Sequence, residues 1–349
     1  MVSFFKASII VAAFGVLFKP VIYPFFVSQI QNSRYDEEVG KITVVQSFEA
    51  LAKTYEKKKV LIVGGTRGIG RGVAIAVAKA GADVTVVGRS ERSGRAIVEL
   101  LKYEVLSQEN DIGKVVDQRI NYIQGDIGSV KSAKACVASL AEYASEYGKF
   151  DFLVVTAAIF PNWDNLMNED GLERSFGIAV VGRYIIFNSA ELFLKPNTSR
   201  ILNVLASGMN TYPFDRELAS GTRMNGSLAE YVLNFACGAE LMQISLNQRN
   251  KFYNSLTKVS VHPGILKTEL HDNQGWLMDT LEPLLVKLVG FTEEQAGVRQ
   301  ASILSSSQLV EGQLNYVDEF MIGRKLGSKV PVDEHLEWLM DLIEKRIQA

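Results

Sequence analysis

The stretch KKVLIVGGTRGIGRGVAIAVAKAGADVTVVGRS, Lys58–Ser90, leaves a chain of this kind few ways to fold. Val60–Val63 are four consecutive apolar residues ahead of a glycine cluster, which is the pattern of a buried strand. Gly64, Gly68 and Gly70 then predict a tight turn into a helix that begins near Ile69. Val73, Val77 and Ala80 share one face of that helix, and Gly81 ends it. Ala82–Val87 (ADVTVV) reads as a second strand. Glycine is needed in such a turn so that backbone can come close to a pyrophosphate, and the helix N-terminus adds N–H donors and positive potential for that anion. A glycine pattern alone would say little. Placed between a strand and a helix, with a second strand following, it predicts a dinucleotide site.

Which dinucleotide is a matter of charge. NAD enzymes usually end the second strand in an acidic residue that holds the ribose 2′-OH. Here Gly88 and Arg89 stand at that place, and Arg67 lies inside the glycine turn. Two guanidinium groups beside the ribose suit a 2′-phosphate, so the expected cofactor is NADP.

GGTRGIG followed by VVGRS resembles the short-chain dehydrogenase/reductase family, and the similarity continues over roughly residues 58–270. It implies an α/β fold, a Rossmann-type doubly wound parallel sheet, which the alternation of strand and helix patterns argues independently. NYIQGDIGSV resembles the family's third strand, with Asp126 beside the adenine; FDFLVVTAAIF resembles the fourth. There the family's Asn-Asn-Ala-Gly reads Val155, Thr156, Ala157, Ala158. FGIAVVGRYIIF matches the next helix, with Ala179 where the family has a structural asparagine. RILNVLASG resembles the fifth strand and VSVHPGILKTEL the sixth, so Pro263, Gly264 and Thr268 are expected to border the nicotinamide. The resemblance thus implies cofactor contacts from Gly64, Thr66, Arg67, Gly68, Ile69, Gly70, Arg89, Asp126, Ala157, Pro263, Gly264 and Thr268.

Family chemistry couples hydride transfer to a proton relay, in which a tyrosine exchanges a proton with the substrate oxygen, a serine polarises the carbonyl and a lysine lowers the tyrosine pKa. A tyrosine titrates near ~10 unaided, and a neighbouring cation can shift it down by about 1–3 units. The candidates here are Tyr231 and Ser207. Where the family usually has its serine the chain has Ala206, with Ser207 immediately after it. No lysine occurs from Pro196 to Asn250, so a Tyr-x-x-x-Lys pair cannot form in that window. Two registers stay open. In one, Tyr231 is the catalytic tyrosine and Phe235 replaces the lysine. In the other, Gly226 replaces the tyrosine, Glu230 replaces the lysine, and Tyr231 is an ordinary helix residue. Arg216 or Arg223 could supply a positive charge.

The N-terminus departs from the rest. Ala7–Phe18 and Val21–Val27 are apolar runs interrupted by Lys19, Pro20 and Pro24. The first run is shorter than the roughly 20 residues a spanning helix needs. A kinked membrane anchor over residues 1–31 is the expectation, against an interfacial hairpin, a cleaved signal peptide or a helix packed on the protein's own core. Residues 32–57 read as a polar linker (SRYDEEVGK) and a lead-in helix, and 58–349 as the NADP-binding domain. Within it, 271–291 forms an apolar lid and 332–347 an amphipathic helix with Leu336, Leu339, Ile343 and Ile347 on one face.

The 349 residues carry a formal charge of −2, which argues against nucleic acid as a partner. Two cysteines and three histidines show no metal-ligand spacing. The sequence therefore predicts a membrane-associated NADP-dependent oxidoreductase, its catalytic domain in the cytosol and its anchor in the endoplasmic reticulum or a lipid droplet. Its substrate would be a small hydrophobic alcohol, ketone or aldehyde, and a homodimer is allowed. The alternative is an NADP-binding protein that has lost hydride transfer and works as a sensor or scaffold, since the lysine, the usual serine, the Asn-Asn pair and the helix asparagine are all missing.

Overall fold

A computed structural model describes residues 37–44, 48–107, 118–205, 214–263, 291–318, 321–325 and 334–348. The expected anchor (1–31) and nearly all of the expected lid (271–291) lie outside these residues, as do Ser207, Gly264 and Thr268. Among the described residues no helix is long and apolar enough to cross a membrane.

The strands are β1 (Glu37–Lys41), β2 (Lys59–Val63), β3 (Asp83–Gly88), β4 (Ile120–Gln124), β5 (Phe152–Val155), β6 (Arg200–Val204), β7 (Thr257–Val261), β8 (Leu314–Val317) and β9 (Ile322–Lys325). They form one sheet in the order β1-β9-β8-β7-β6-β5-β2-β3-β4. From β4 to β8 all neighbours are parallel, while β9 and β1 add antiparallel to the far edge. The order reverses between β2 and β5, and in open α/β sheets ligands bind in the crevice at such a switch point, outside the strands' C-terminal ends.

Both faces of the sheet are covered. Along β2, Val60 and Ile62 point into one core and Leu61 and Val63 into the other. All four are buried, which explains the unbroken apolar run in the sequence. The first core lies under α1 (Phe48–Tyr55), α2 (Gly68–Lys79), α3 (Glu91–Leu106) and α10 (Glu293–Ser305). The second lies under α4 (Val130–Tyr147), a helix built of α5 (Arg174–Phe176), a π-turn (Gly177–Gly182) and α6 (Arg183–Asn188), and α8 (Leu228–Arg249). The short helices α7 (Arg216–Ser220) and α9 (Lys251–Ser255) flank α8, and α11 (Glu334–Gln348) packs over it through Leu336, Leu339, Met340 and Ile343.

Part of the segment expected to be a polar linker is a strand. Glu37–Lys41 pairs with β9 through a bulge at Glu38/Gly40, and Ile42 then donates its N–H to Met321 O and buries its side chain. An edge strand hydrogen-bonds on one side only, so a short polar one carries no run or alternation that would announce it.

Candidate active site

The glycine turn after β2 is closed down on the end of β5. Gly64 has φ +93°, and a Cβ there would lie 2.5 Å from the Ala157 nitrogen. A Cβ on Gly70 would lie 2.3 Å from Gly64 O and 2.5 Å from Thr156 Oγ1. The Thr156 hydroxyl donates to Gly64 O (3.0 Å), and Ala157 N–H donates to Val63 O (3.2 Å). Thr156, which stands where the family has an asparagine, therefore holds the turn itself.

The opposite side of the turn is held by a residue far along the chain. Glu293, at the start of α10, accepts the Gly68 N–H (2.9 Å) and the Arg71 Nε–H (2.6 Å). The two helices approach so closely that a Cβ on Gly72 would lie 1.9 Å from Glu293 O. The first N–H groups of a helix have no partner inside it. With Gly68 committed to Glu293, the N–H groups of Ile69 and Gly70 are the ones the start of α2 offers a pyrophosphate.

Thr66 packs its methyl group against Gly88, so close that a Cβ there would meet it at 2.7 Å. That contact joins the glycine turn to the end of β3. Arg67 and Arg89, the residues that follow Thr66 and Gly88, are exposed. Asp126, just past β4, accepts the Gly128 N–H (2.9 Å) in its own loop; its charge joins burial in pushing the Cys136 thiol up to about 11. Pro263 is half-buried at the end of β7.

Beneath these residues lies a fully buried cation. Arg183 donates to Ala157 O (2.8 Å), to Val204 O (3.1 Å) and to the Asn203 side-chain oxygen. No carboxylate pairs with it among the described residues. Burial pushes its pKa down to about 9, which still leaves a guanidinium at neutral pH. The π-turn immediately before it is a feature that recurs at functional sites. A single charge inside FGIAVVGRYIIF was the one sequence signal for this residue.

The catalytic side is built differently. Ser227 and Glu230 form a capping box at the start of α8, and Tyr231 follows, 2% exposed. Its hydroxyl is buried and makes no hydrogen bond of normal geometry. Trp163 meets its ring edge-on at 5.6 Å. Gly226, the alternative tyrosine position, is loop backbone lying against that ring, 3.1 Å from Cε2 at the point a Cβ would take. Burial and then the Glu173 carboxylate push the Tyr231 hydroxyl above the ordinary tyrosine value, with Arg223 and the Gly226 N–H acting against them.

Arg223 is bonded to Asp215 (2.7 Å) and Glu230 (3.2 Å), so its charge is largely neutralised where it could have helped Tyr231. Arg216 points elsewhere, donating to His335 Nδ1 (3.1 Å) and lying over Trp338. Phe235, at the lysine position of the first register, is 3% exposed and belongs to the core. The structure thus gathers the glycine turn, Thr156, Ala157 and Arg183 into one unit. No described hydrogen bond or ring contact joins Tyr231 to it.

Residues 58–216 match the short chain dehydrogenase family. Over these residues the chain is similar to the short-chain dehydrogenase/reductase family, whose members bind a nicotinamide cofactor. Human retinol dehydrogenase 13 is 26% identical over 230 residues, which cover 64% of this chain and 63% of that protein. The match therefore spans less than two thirds of that relative's length. Among solved structures, the MalC reductase/Diels-Alderase of Malbranchea aurantiaca superposes with a TM-score of 0.58 at 18% identity, covering 78% of this chain and 98% of that one. The angucycline C-6 ketoreductase LanV, solved with bound NADP, gives 0.53 at 18% identity, with coverages of 75% and 93%. These two likenesses speak for the fold.

Proposed function

We propose that the chain is an NADPH-dependent reductase of apolar aldehydes or ketones. The observation that carries this reading is the glycine turn, locked between Thr156 and Glu293 with the start of α2 open and Arg67 and Arg89 beside it. NADPH, when bound, supplies the hydride to the carbonyl carbon. Tyr231 gives its phenolic proton to the carbonyl oxygen, and solvent returns a proton to the tyrosinate. A hydroxyl whose pKa is raised stays protonated at neutral pH and so holds a proton to give, as a weaker acid than a tyrosine with a lysine beside it. Ser207 is the second donor to the carbonyl in this reading, and Asp126, Ala157, Pro263, Gly264 and Thr268 complete the cofactor contacts. The similarity to a retinol dehydrogenase supports a hydrophobic substrate.

The test is turnover of NADPH by the purified chain with a panel of apolar carbonyls, and Tyr231→Phe beside it. The expected result is loss of about 10²–10⁴-fold in rate, the contribution of a positioned acid; unchanged turnover in that variant would remove Tyr231 from the mechanism.

A second reading is favoured by Phe235, which belongs to the core where the first register would put a lysine. It is an NADP(H)-binding protein without hydride transfer, acting as a sensor or scaffold. NADPH binding by calorimetry with no turnover across the carbonyl panel would decide for it. Either reading keeps the apolar N-terminal runs as a membrane attachment, to the endoplasmic reticulum or a lipid droplet with the folded domain in the cytosol, and allows a homodimer. Flotation of the full chain with liposomes, lost when Ile9, Val11 and Phe14 are made polar, is the check.

A further inference from the structure

Tyr231 has an apolar neighbour that the fold leaves in solvent. Trp163 is 44% exposed although it packs against a ring that is itself 2% exposed. The loop carrying it, between β5 and α5, turns tightly around Asn162 and is tied to the fold at Asn168. Asn162 accepts the N–H groups of Asp164 and Asn165, and Asn168 ties the loop to Gly128 O and to the Leu172 N–H. From a second loop, Met224 stands 53% exposed two residues before Gly226, whose backbone lies on the Tyr231 ring. Among the described residues the buried Tyr231 hydroxyl makes no hydrogen bond of normal geometry. A buried hydroxyl left in that state carries a desolvation penalty that a ligand oxygen would relieve. An exposed indole beside it offers a flat apolar surface of the kind that binding sites use as anchors.

We propose that Trp163 receives the hydrocarbon body of the substrate and so sets specificity, while Tyr231 receives the oxygen at its end. The inference rests on the reading of Tyr231 given above and adds the substrate class: neutral, elongated and apolar. Acids are disfavoured because the Glu173 and Glu230 carboxylates both act on Tyr231, and Arg223, which opposes them, is already shared between Asp215 and Glu230.

The experiment uses the full chain with NADPH and saturated aldehydes from butanal to tetradecanal. In the unaltered chain kcat/KM should climb with chain length. Trp163→Ala should raise KM for tetradecanal about tenfold, as removal of an aromatic anchor does, with kcat and the KM for butanal little changed. Trp163→Phe should restore most of the loss. Independently of turnover, tetradecanal should quench indole fluorescence in the unaltered chain, and the quench should shrink in Trp163→Phe at equal occupancy measured by calorimetry. An unchanged chain-length dependence in Trp163→Ala, or a full quench in Trp163→Phe, overturns the proposal, as does the absence of any binding by these aldehydes. If Trp163 responds to the ligand while Tyr231→Phe turns over normally, the proton-donor reading falls and the apolar contact stands.

Discussion

The two halves of the site were expected from the same resemblance, yet the molecule builds them to different standards. Around the glycine turn every contact is backbone-close and reinforced from three directions: Thr156 from β5, Glu293 from α10 and Thr66 against Gly88. Around Tyr231 the supports are ordinary helix-start features, a capping box and an aromatic edge contact, and the hydroxyl itself is unsatisfied. A cofactor loop tolerates little change, because its backbone is the ligand-binding surface. A proton donor is one side chain, and its cation can be lost without disturbing the fold if an apolar residue fills the space.

In the register that makes Tyr231 the donor, Phe235 is that residue, and restoring the cation is the hardest test of the contrast. Phe235→Lys would recreate the spacing Tyr-x-x-x-Lys. It would also put an ammonium into the core, where the Phe235 side chain is buried. The expected outcome is a loss of about 3–5 kcal/mol in stability, the usual cost of an uncompensated buried charge, with no gain in NADPH turnover. Chemical denaturation together with the carbonyl assay reads both. A stable, faster variant would mean that Phe235 faces the cofactor and that the two halves are less different than their packing indicates.

The cofactor half is tested next by Gly70→Ala. One added methyl would lie 2.3 Å from Gly64 O and 2.5 Å from Thr156 Oγ1, so either the turn opens or the helix start shifts. Overpacking of this kind costs about 1–3 kcal/mol. Here the cost falls on the binding surface, so NADPH affinity should drop by up to about a hundredfold by calorimetry. Smaller again is Arg89→Ala. If Arg89 and Arg67 hold the 2′-phosphate, NADPH should bind about tenfold more weakly while NADH is unaffected, the worth of one charge-assisted hydrogen bond. Equal losses for both cofactors would assign Arg89 to the turn's general charge and not to the phosphate.

How much of this was legible in the sequence follows from how local each cause is. The run Val60–Val63, the glycines and Gly81 act within one βαβ unit, and each lands where the pattern puts it, with strand and helix ends shifted by one residue. The missing lysine could be read as well, because absence over a window needs no structure. Glu293 could not: it meets Gly68 across 225 positions of sequence and sits in a helix whose N-terminal signature is shared by any capped helix. Trp163 and Arg183 were visible as residues but not as neighbours of Tyr231 and Ala157. Their significance lies in which buried atom they touch, and the chain gives no periodicity for that.

The final test asks whether the catalytic half lacks basic groups or lacks protonated ones. Lys258, on β7, is fully buried and donates to the carbonyls of Asn254 (2.9 Å) and Tyr253 (3.1 Å); burial pushes it down to about 7. His262, just past the same strand and next to Pro263, is pushed down to about 4 by burial, with Asp318 opposing. For both, the folded value lies below the unfolded one, so the unfolded chain binds more protons across the interval and stability rises with pH. The windows are from about 4 to the ordinary histidine value of about 6.5, and from about 7 to the ordinary lysine value of about 10.4. Within each window the slope is at most about 1.4 kcal/mol per pH unit, one proton's worth. Denaturation at a series of pH values should show it, and Lys258→Met should flatten only the upper window. A stability that stays flat between pH 7 and 9, and that Lys258→Met leaves flat, would mean that Lys258 keeps its charge in the fold.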